Sequence, residues 1–208
     1  MSTSRLDRDA VLWSSPERSP RSGQPLVVCL HGYHGSEIDL VPLLEALPLD
    51  RLVVASLRGP VPVGGKWAWA SYAVEPTELD AASRAVLDWL GSVGSPTPVG
   101  IAGFSQGGAV AAHLLRVDPA RVACAALLSG FVAAASLPGD AVLRAARPPV
   151  FSGHGLRDSL VEPFREETSR WLAAHTRAVE KRYADMGHAL GGELARDAAE
   201  FLTGHLLA

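Results

Sequence analysis

The stretch Val99-Gly100-Ile101-Ala102-Gly103-Phe104-Ser105-Gln106-Gly107-Gly108-Ala109-Val110-Ala111-Ala112 changes character at Ser105. Before it, a short apolar run reads as a buried strand over 99–103. After it, 106–116 reads as a helix whose first turns are small enough to pack closely on a sheet. The junction contains Gly103-Phe104-Ser105-Gln106-Gly107, which fits G-x-S-x-G. In a chain with 20 glycines the pentapeptide alone is a weak signal. The strand before it and the helix after it make it specific, because a serine exposed on a sharp strand-to-helix turn needs that context. Residues flanking so tight a turn must lack bulk, and Gly103 and Gly107 satisfy this. The helix N-terminus beneath Ser105 favours negative charge developing above it.

Working outward, strands and helices alternate. Apolar runs at 26–30, 52–57, 122–129 and 150–154 read as buried strands, and 178–183 alternates like a strand nearer an edge. Helical spacing covers 38–47, 75–90, 160–175 and 189–207. Pro42 is tolerable only in the first turn of its helix. A short strand near 10–13 is followed by a Ser-, Pro- and Gly-rich loop over 14–25. A long loop is expected from Arg58-Gly59-Pro60 through Gly64-Gly65. The acidic residues Glu75, Glu78, Asp80 and Asp88 read as a solvated helix face. Such alternation implies an α/β fold, with a mostly parallel central sheet covered by helices on both faces. Ligands then bind beyond the carboxyl ends of the strands. No internal repeat or second boundary is visible. One domain is expected over 1–208, with 1–25 as its N-terminal strand and loop.

A serine hydroxyl is a poor nucleophile until a base takes its proton. Seven histidines compete for that role. In an α/β-hydrolase the partners follow in the order serine, acid, histidine, which excludes His31 and His34. His113 falls inside the helix after Ser105, His154 at a strand end, His175 at a helix end and His205 in the last helix. His188 alone sits in a loop after the last strand, and imidazole ionises near neutrality. The acid is expected after the penultimate strand, where Phe151-Ser152-Gly153-His154-Gly155 leads to Asp158; the competing reading of Asp158 is a helix N-cap. Asp185 is a rival, three residues from His188 in the same loop. Asp158 is preferred because it comes from a separate strand end. An oxyanion needs donors fixed in advance. The backbone N–H of Gln106 is one, and that of Tyr33, in the loop Leu30-His31-Gly32-Tyr33-His34-Gly35, is the other. His31 itself reads as structural.

Apolar residues make up 48% and charged residues 20% of the 208, with a formal charge of -3 and no basic block. Nucleic-acid and polybasic membrane binding are not expected. Cys29 and Cys124 lie in apolar runs outside any metal spacing, so they read as buried, reduced thiols. The N-terminal residues lack a signal peptide's apolar centre. No segment approaches the roughly eighteen apolar residues of a membrane span, so a cytoplasmic protein without integral membrane association is expected.

These motifs resemble the phospholipase/carboxylesterase family of α/β-hydrolases, which includes bacterial carboxylesterases and acyl-protein thioesterases. The resemblance is carried by Leu30-His31-Gly32, Arg58-Gly59-Pro60 with Trp69, Gly103-Phe104-Ser105-Gln106-Gly107-Gly108, His154-Gly155 leading to Asp158 and Val161, and Met186-Gly187-His188. It runs from about residue 26 to 202. It implies hydrolysis of esters or thioesters through an acyl-enzyme, with no cofactor or metal. It also places Trp69 at the pocket wall. Trp67, two residues away and on the same side of an extended chain, is either a second wall residue or a loop anchor. There are departures. His34 stands where the family has a small residue, and either narrows the oxyanion-loop mouth or meets substrate. Ala70 replaces an aromatic after Trp69, which implies a roomier acyl site. Nothing in the sequence interprets Leu156-Arg157 before the acid.

The stretch 131–148 is too short for a separate cap domain. Phe131, Val132, Leu137 and Val142 are expected to make an uncapped, partly apolar groove for short to medium acyl esters. Trp13, Trp89 and Trp171 read as core or helix-face aromatics. The leading function is a serine carboxylesterase on small-molecule esters, with acyl-thioesterase or lysophospholipase activity as the alternative. A peptidase or acyl transferase ranks below these, since no charged specificity pocket or acceptor motif is present. A catalytically silent binding protein would not need Ser105, Asp158 and His188 together. A homodimer is one way to cover an apolar groove.

Overall fold

Leu26, Val28 and Leu30 alternate with Val27 and Cys29, and all five are fully buried. A strand buried on both faces belongs inside a helix-covered sheet, and β2 (Leu26–Leu30) occupies that place. In the computed structural model, which describes residues 5–21, 23–94, 99–133 and 136–208, β1 (Leu12–Trp13) is followed in the sheet by β3 (Val53–Leu57), β2, β6 (Val99–Phe104), β7 (Val122–Leu128), β8 (Pro149–Gly155) and β9 (Arg177–Tyr183). β1 is antiparallel to β3 and every other pairing is parallel. β9 is the exposed edge, consistent with its alternating sequence.

Helices cover both faces. Leu26, Val28 and Leu30 pack in one apolar cluster with α2 (Pro76–Ser92) and α3 (Gln106–Val117). Val27 and Cys29 pack in the other, with α1 (Val41–Ala46) and α6 (Gly192–Leu206). Cys29 and Cys124 both lie in this second cluster, buried and unpaired. Desolvation pushes the Cys124 thiol up to about 12. Strand order runs one way from β2 to β3 and the other way from β2 to β6, so the carboxyl ends of β2 and β6 flank a topological switch point, where α/β sheets open a crevice.

Two local expectations needed correction, and one short element was not foreseen. The long loop after β3 contains a hairpin, β4 (Val61–Val63) and β5 (Lys66–Ala68). Gly64 and Gly65 take φ of 52° and 78° at its turn, the left-handed pair that two-residue hairpins require. Pro62 hides this hairpin from a sequence reading, because proline is tolerated only in edge strands. Next, α1 starts at Val41 rather than at 38, which keeps Pro42 within its first turn. Finally, a short α4 (Gly139–Ala146) stands between β7 and β8. It is held by Asp140, whose carboxylate accepts from Arg116 Nε and Nη2 at 2.8 Å each. α5 (Glu162–His175) follows β8.

The aromatic residues Trp13 and Trp89 pack with ring centroids 5.5 Å apart, and Trp171 stacks on His175 at 4.8 Å. Among the described residues, no helix is long and apolar enough to cross a membrane.

His113 is an anomaly within this core. It is 3% exposed on α3, and neither ring nitrogen has a hydrogen-bond partner. Burial, then the Arg116 charge, holds its pKa down to about 4 from the ordinary 6.5, against a smaller upward pull from Asp80. Burial also lowers the pKa of His31 and His154. Between about pH 4 and 6.5 the unfolded chain therefore binds more protons than the folded one, and stability falls as pH drops through that window. His113→Leu is expected to flatten this slope and to raise stability at pH 5 by about 1–2 kcal/mol. Urea midpoints at pH 7 and pH 5 check it; an unchanged slope would refute it.

Candidate active site

Ser105 stands between β6 and α3 with φ 53° and ψ -117°. A non-glycine residue held at positive φ is strained and persists only where its surroundings enforce it. Its N–H donates to the Leu128 carbonyl at 2.9 Å, and its carbonyl accepts from Ala109 N–H at 3.1 Å. The flanking glycines have no room for a side chain. A Cβ on Gly103 would lie 2.1 Å from the Gly107 carbonyl oxygen, and one on Gly107 would lie 2.1 Å from that of Leu30. The turn thus requires glycine at both positions, and it brings α3 against the end of β2.

Two loops from the far side of the sheet reach the same point. β8 and β9 stay in register to Gly155 and Tyr183. Past them, Leu156 N–H donates to the Tyr183 carbonyl and Arg157 N–H to that of Met186, at 2.9 and 3.1 Å. A Cβ on Gly155 would stand 1.9 Å from the Met186 carbonyl oxygen, so the two loops leave the sheet in contact. Asp158 is 1% exposed. Its Oδ2 lies 2.8 Å from His188 Nδ1, and His188 Nε2 lies 2.9 Å from Ser105 Oγ. Asp158 Oδ1 accepts from Leu160 and Val161 N–H at 3.1 and 3.3 Å. The carboxylate therefore does two things at once: one oxygen faces the histidine, and the other ties down the turn ahead of α5. Arg165 Nη2 donates to the Asp158 carbonyl at 3.2 Å, bracing that turn from α5. The His188 ring packs beside Phe104, centroids 4.9 Å apart. The rival Asp185 points away, with its carboxylate 2.5 Å from Arg157 Nη2 and 86% exposed.

The loop after β2 lies directly over the serine. A Cβ on Gly32 would be 3.1 Å from the Phe104 ring and 3.3 Å from Ser105 Cβ. Among the described residues the backbone N–H groups of Tyr33 and Gln106 have no acceptor. His31 is buried inside this loop. Its Nε2 accepts from Gly59 N–H at 2.9 Å, which leaves Nδ1 as the donor to the Gly32 carbonyl at 2.7 Å. It is a neutral structural residue, as its position in the loop suggested.

The sequence reading missed the side chain of Gln106. Oε1 accepts from Trp69 and Ala70 N–H at 2.8 and 3.3 Å; Nε2 donates to the Ala70 and Ser71 carbonyls at 3.1 and 3.0 Å. All four of its hydrogen-bonding valences are used. This amide fastens the 69–71 segment to the start of α3.

Above Ser105 and His188 opens a cleft of about 640 Å³, with walls that include Tyr33, Tyr72, Val74, Phe131, Leu160 and Phe164. Of the four residues the sequence offered for substrate contact, Phe131 lines the cleft and the other three do not. Trp69 is 2% exposed beneath the site, its indole N–H donating to the His31 carbonyl at 2.8 Å. Trp67 is half-buried on β5, its backbone paired with Gly35 and its ring 5.1 Å from the Arg58 guanidinium, which fits the anchoring role. His34 is exposed at φ 56°, against the hairpin turn at Gly64. Ala70 is buried, so the space left by its small side chain is not in the cleft. Of the apolar residues expected from 131–148, Phe131 and Val132 line the cleft, while Leu137 and Val142 do not. Leu160 and Phe164, which follow Asp158, supply apolar wall in their stead. Glu75, expected on a solvated face, also lines the cleft. Glu78 accepts from Ser71 Oγ and from the backbone of Ser71 and Glu75, closing the start of α2. Among the described residues no group of three or more His, Cys, Asp or Glu is arranged to hold a metal ion.

Solved structures share this fold at low sequence identity. A carboxylesterase from Bacillus cereus is 20% identical, covering 94% of this chain and 93% of its own, with a TM-score of 0.76. A carboxylesterase from Mesorhizobium loti is 22% identical over 89% and 90%, with a TM-score of 0.73. A phospholipase/carboxylesterase from Dyadobacter fermentans is 19% identical over 100% and 99%, also at 0.73. Comparison with curated proteins returned no match. The sequence profile of one family does match, over residues 91–206, a span that holds the Ser105 junction, the Asp158 turn and the His188 loop. That span exceeds half of the chain, and it establishes that the chain belongs to the phospholipase/carboxylesterase family.

Proposed function

We propose that the protein is a serine carboxylesterase that hydrolyses short- to medium-chain esters through an acyl-enzyme. The observation that carries this reading is the continuous chain from Ser105 Oγ to His188 Nε2 at 2.9 Å and from His188 Nδ1 to Asp158 Oδ2 at 2.8 Å. Membership of an ester-hydrolysing family supports it.

In this mechanism Ser105 Oγ attacks the ester carbonyl carbon while His188 Nε2 takes its proton. Asp158 Oδ2 accepts from Nδ1–H, which fixes the tautomer and stabilises the imidazolium. The developing oxyanion accepts from the Tyr33 and Gln106 N–H groups, both without other acceptors, at the positively polarised start of α3. Collapse breaks the ester C–O bond, and the alcohol leaves with the proton from His188. Water then attacks the acyl-enzyme with His188 again as base, releasing the acid and restoring Ser105. The apolar walls at Val74, Phe131, Val132, Leu160 and Phe164 suit an acyl chain of modest length.

The test is a p-nitrophenyl ester series from acetate to palmitate, combined with labelling by a serine-reactive phosphonate. Labelling at Ser105 and a rate optimum below the long chains is the expected result. A protein that neither turns over any ester nor takes the label at Ser105 would be a binding member of the fold.

A further inference from the structure

The same cleft has an uneven charge. Its only charged side chains, among the described residues, are the carboxylates of Glu75 and Glu167; no lysine or arginine lines it. Neither carboxylate has an ion-pair partner among the described residues. The cations on neighbouring elements are engaged elsewhere. Arg165 faces the carbonyls of Gly155 and Asp158, Arg157 pairs with Asp185, and Arg170 lies 3.9 Å from Glu166.

Each carboxylate also accompanies a pair of aromatic rings in the cleft wall. Tyr33 and Tyr72 meet edge-on at 5.3 Å, and Glu75 follows Tyr72 by three residues. Phe131 and Phe164 stack at 4.7 Å, and Glu167 lies one turn beyond Phe164 on the same face of α5. An acyl chain needs the rings but has no use for the carboxylates. A cation uses both, since π faces and fixed negative charge attract it together.

We propose that the cleft selects esters carrying a positive charge, a quaternary ammonium or a protonated amine, on the acyl or the alcohol side. This rests on the serine-esterase reading and narrows its substrate class. The same field works against esters with a carboxylate or phosphate near the scissile bond.

Two isosteric pairs test it. One is the butyrate ester of choline against that of 3,3-dimethylbutanol, which places the charge on the alcohol. The other is the p-nitrophenyl ester of 4-(trimethylammonio)butyrate against that of 5,5-dimethylhexanoate, which places it on the acyl chain. In at least one pair the cation is expected to win in kcat/KM by about tenfold at low salt, equal to about 1.4 kcal/mol. Because Glu75 and Glu167 are both exposed, that ratio should shrink toward unity in about 1 M salt. Glu75→Gln or Glu167→Gln should lower the ratio, and the variant with the larger effect marks the cation's end of the cleft. Equal or faster turnover of the neutral ester in both pairs overturns the proposal and leaves the esterase reading standing. So does a preference that neither variant alters. Failure to hydrolyse any of the four overturns both.

Discussion

Ser105→Ala is expected to lower kcat/KM on the best p-nitrophenyl ester by about four to six orders of magnitude, and His188→Ala by a similar factor. The two losses should not add, because oxygen and imidazole act as one unit across a 2.9 Å contact. The double variant is therefore expected to match either single one. On the proposed mechanism the residual rate is expected to come from the Tyr33 and Gln106 N–H groups and from binding in the cleft. Ser105 sits at φ 53° in a turn enforced by Gly103 and Gly107, and alanine can occupy that turn no worse than serine. The fold should therefore survive, and thermal unfolding of the variant within a few degrees of the wild type checks that activity alone was lost. Ester hydrolysis that persisted in Ser105→Ala would mean that another group attacks the carbonyl.

Asp158→Asn is expected to cost about ten-thousand-fold in kcat, while Asp185→Asn changes it by no more than about twofold. The contrast follows from where each carboxylate points. Asp158 is buried, with one oxygen 2.8 Å from His188 Nδ1 and the other accepting two backbone N–H groups. An asparagine can keep its oxygen toward those N–H groups. Its NH₂ then meets His188 Nδ1 and stabilises the wrong tautomer, with the proton on Nε2 where the lone pair is needed. Asp185 is exposed and paired with Arg157 on the surface, an interaction worth little. Side-by-side kcat measurements decide between them. A large loss in Asp185→Asn with little in Asp158→Asn would reassign the acid.

Much of this could be read directly from the chain. The buried strands at β2, β3, β6, β7 and β8 are apolar runs between turn residues, and such runs report burial wherever they occur. Pro42 constrained the start of α1 correctly in principle, although the helical spacing of 38–47 suggested an earlier one. The hairpin β4–β5 was harder, because Val61-Pro62-Val63 carries a strand breaker and its pairing partner lies across only two glycines. The short α4 escaped the reading because eight residues span only about two helical turns, too few for a period to stand out, and the buried Asp140–Arg116 pair that ties it down joins residues 24 apart.

What the sequence by itself determined was the chain order of Ser105, Asp158 and His188 and their places at a strand-to-helix junction, a strand exit and a final loop. Those are local properties, set by glycine at positions where a Cβ has no room and by the period of apolar residues. The tertiary structure alone decided which side chains reach the cleft. Trp69 and Trp67 lie a few residues before Tyr72 of the cleft wall, yet one is turned beneath the site by a bond to the His31 carbonyl and the other is held on the hairpin by Gly35 and Arg58. Tyr72, Leu160, Phe164, Glu75 and Glu167 come from α2, α5 and the segments leading into them, and they meet only when both helices pack on the sheet. A strand or helix is signalled by neighbours a few residues away, whereas a cleft is the space left between elements, and its lining depends on packing geometry that no local period encodes.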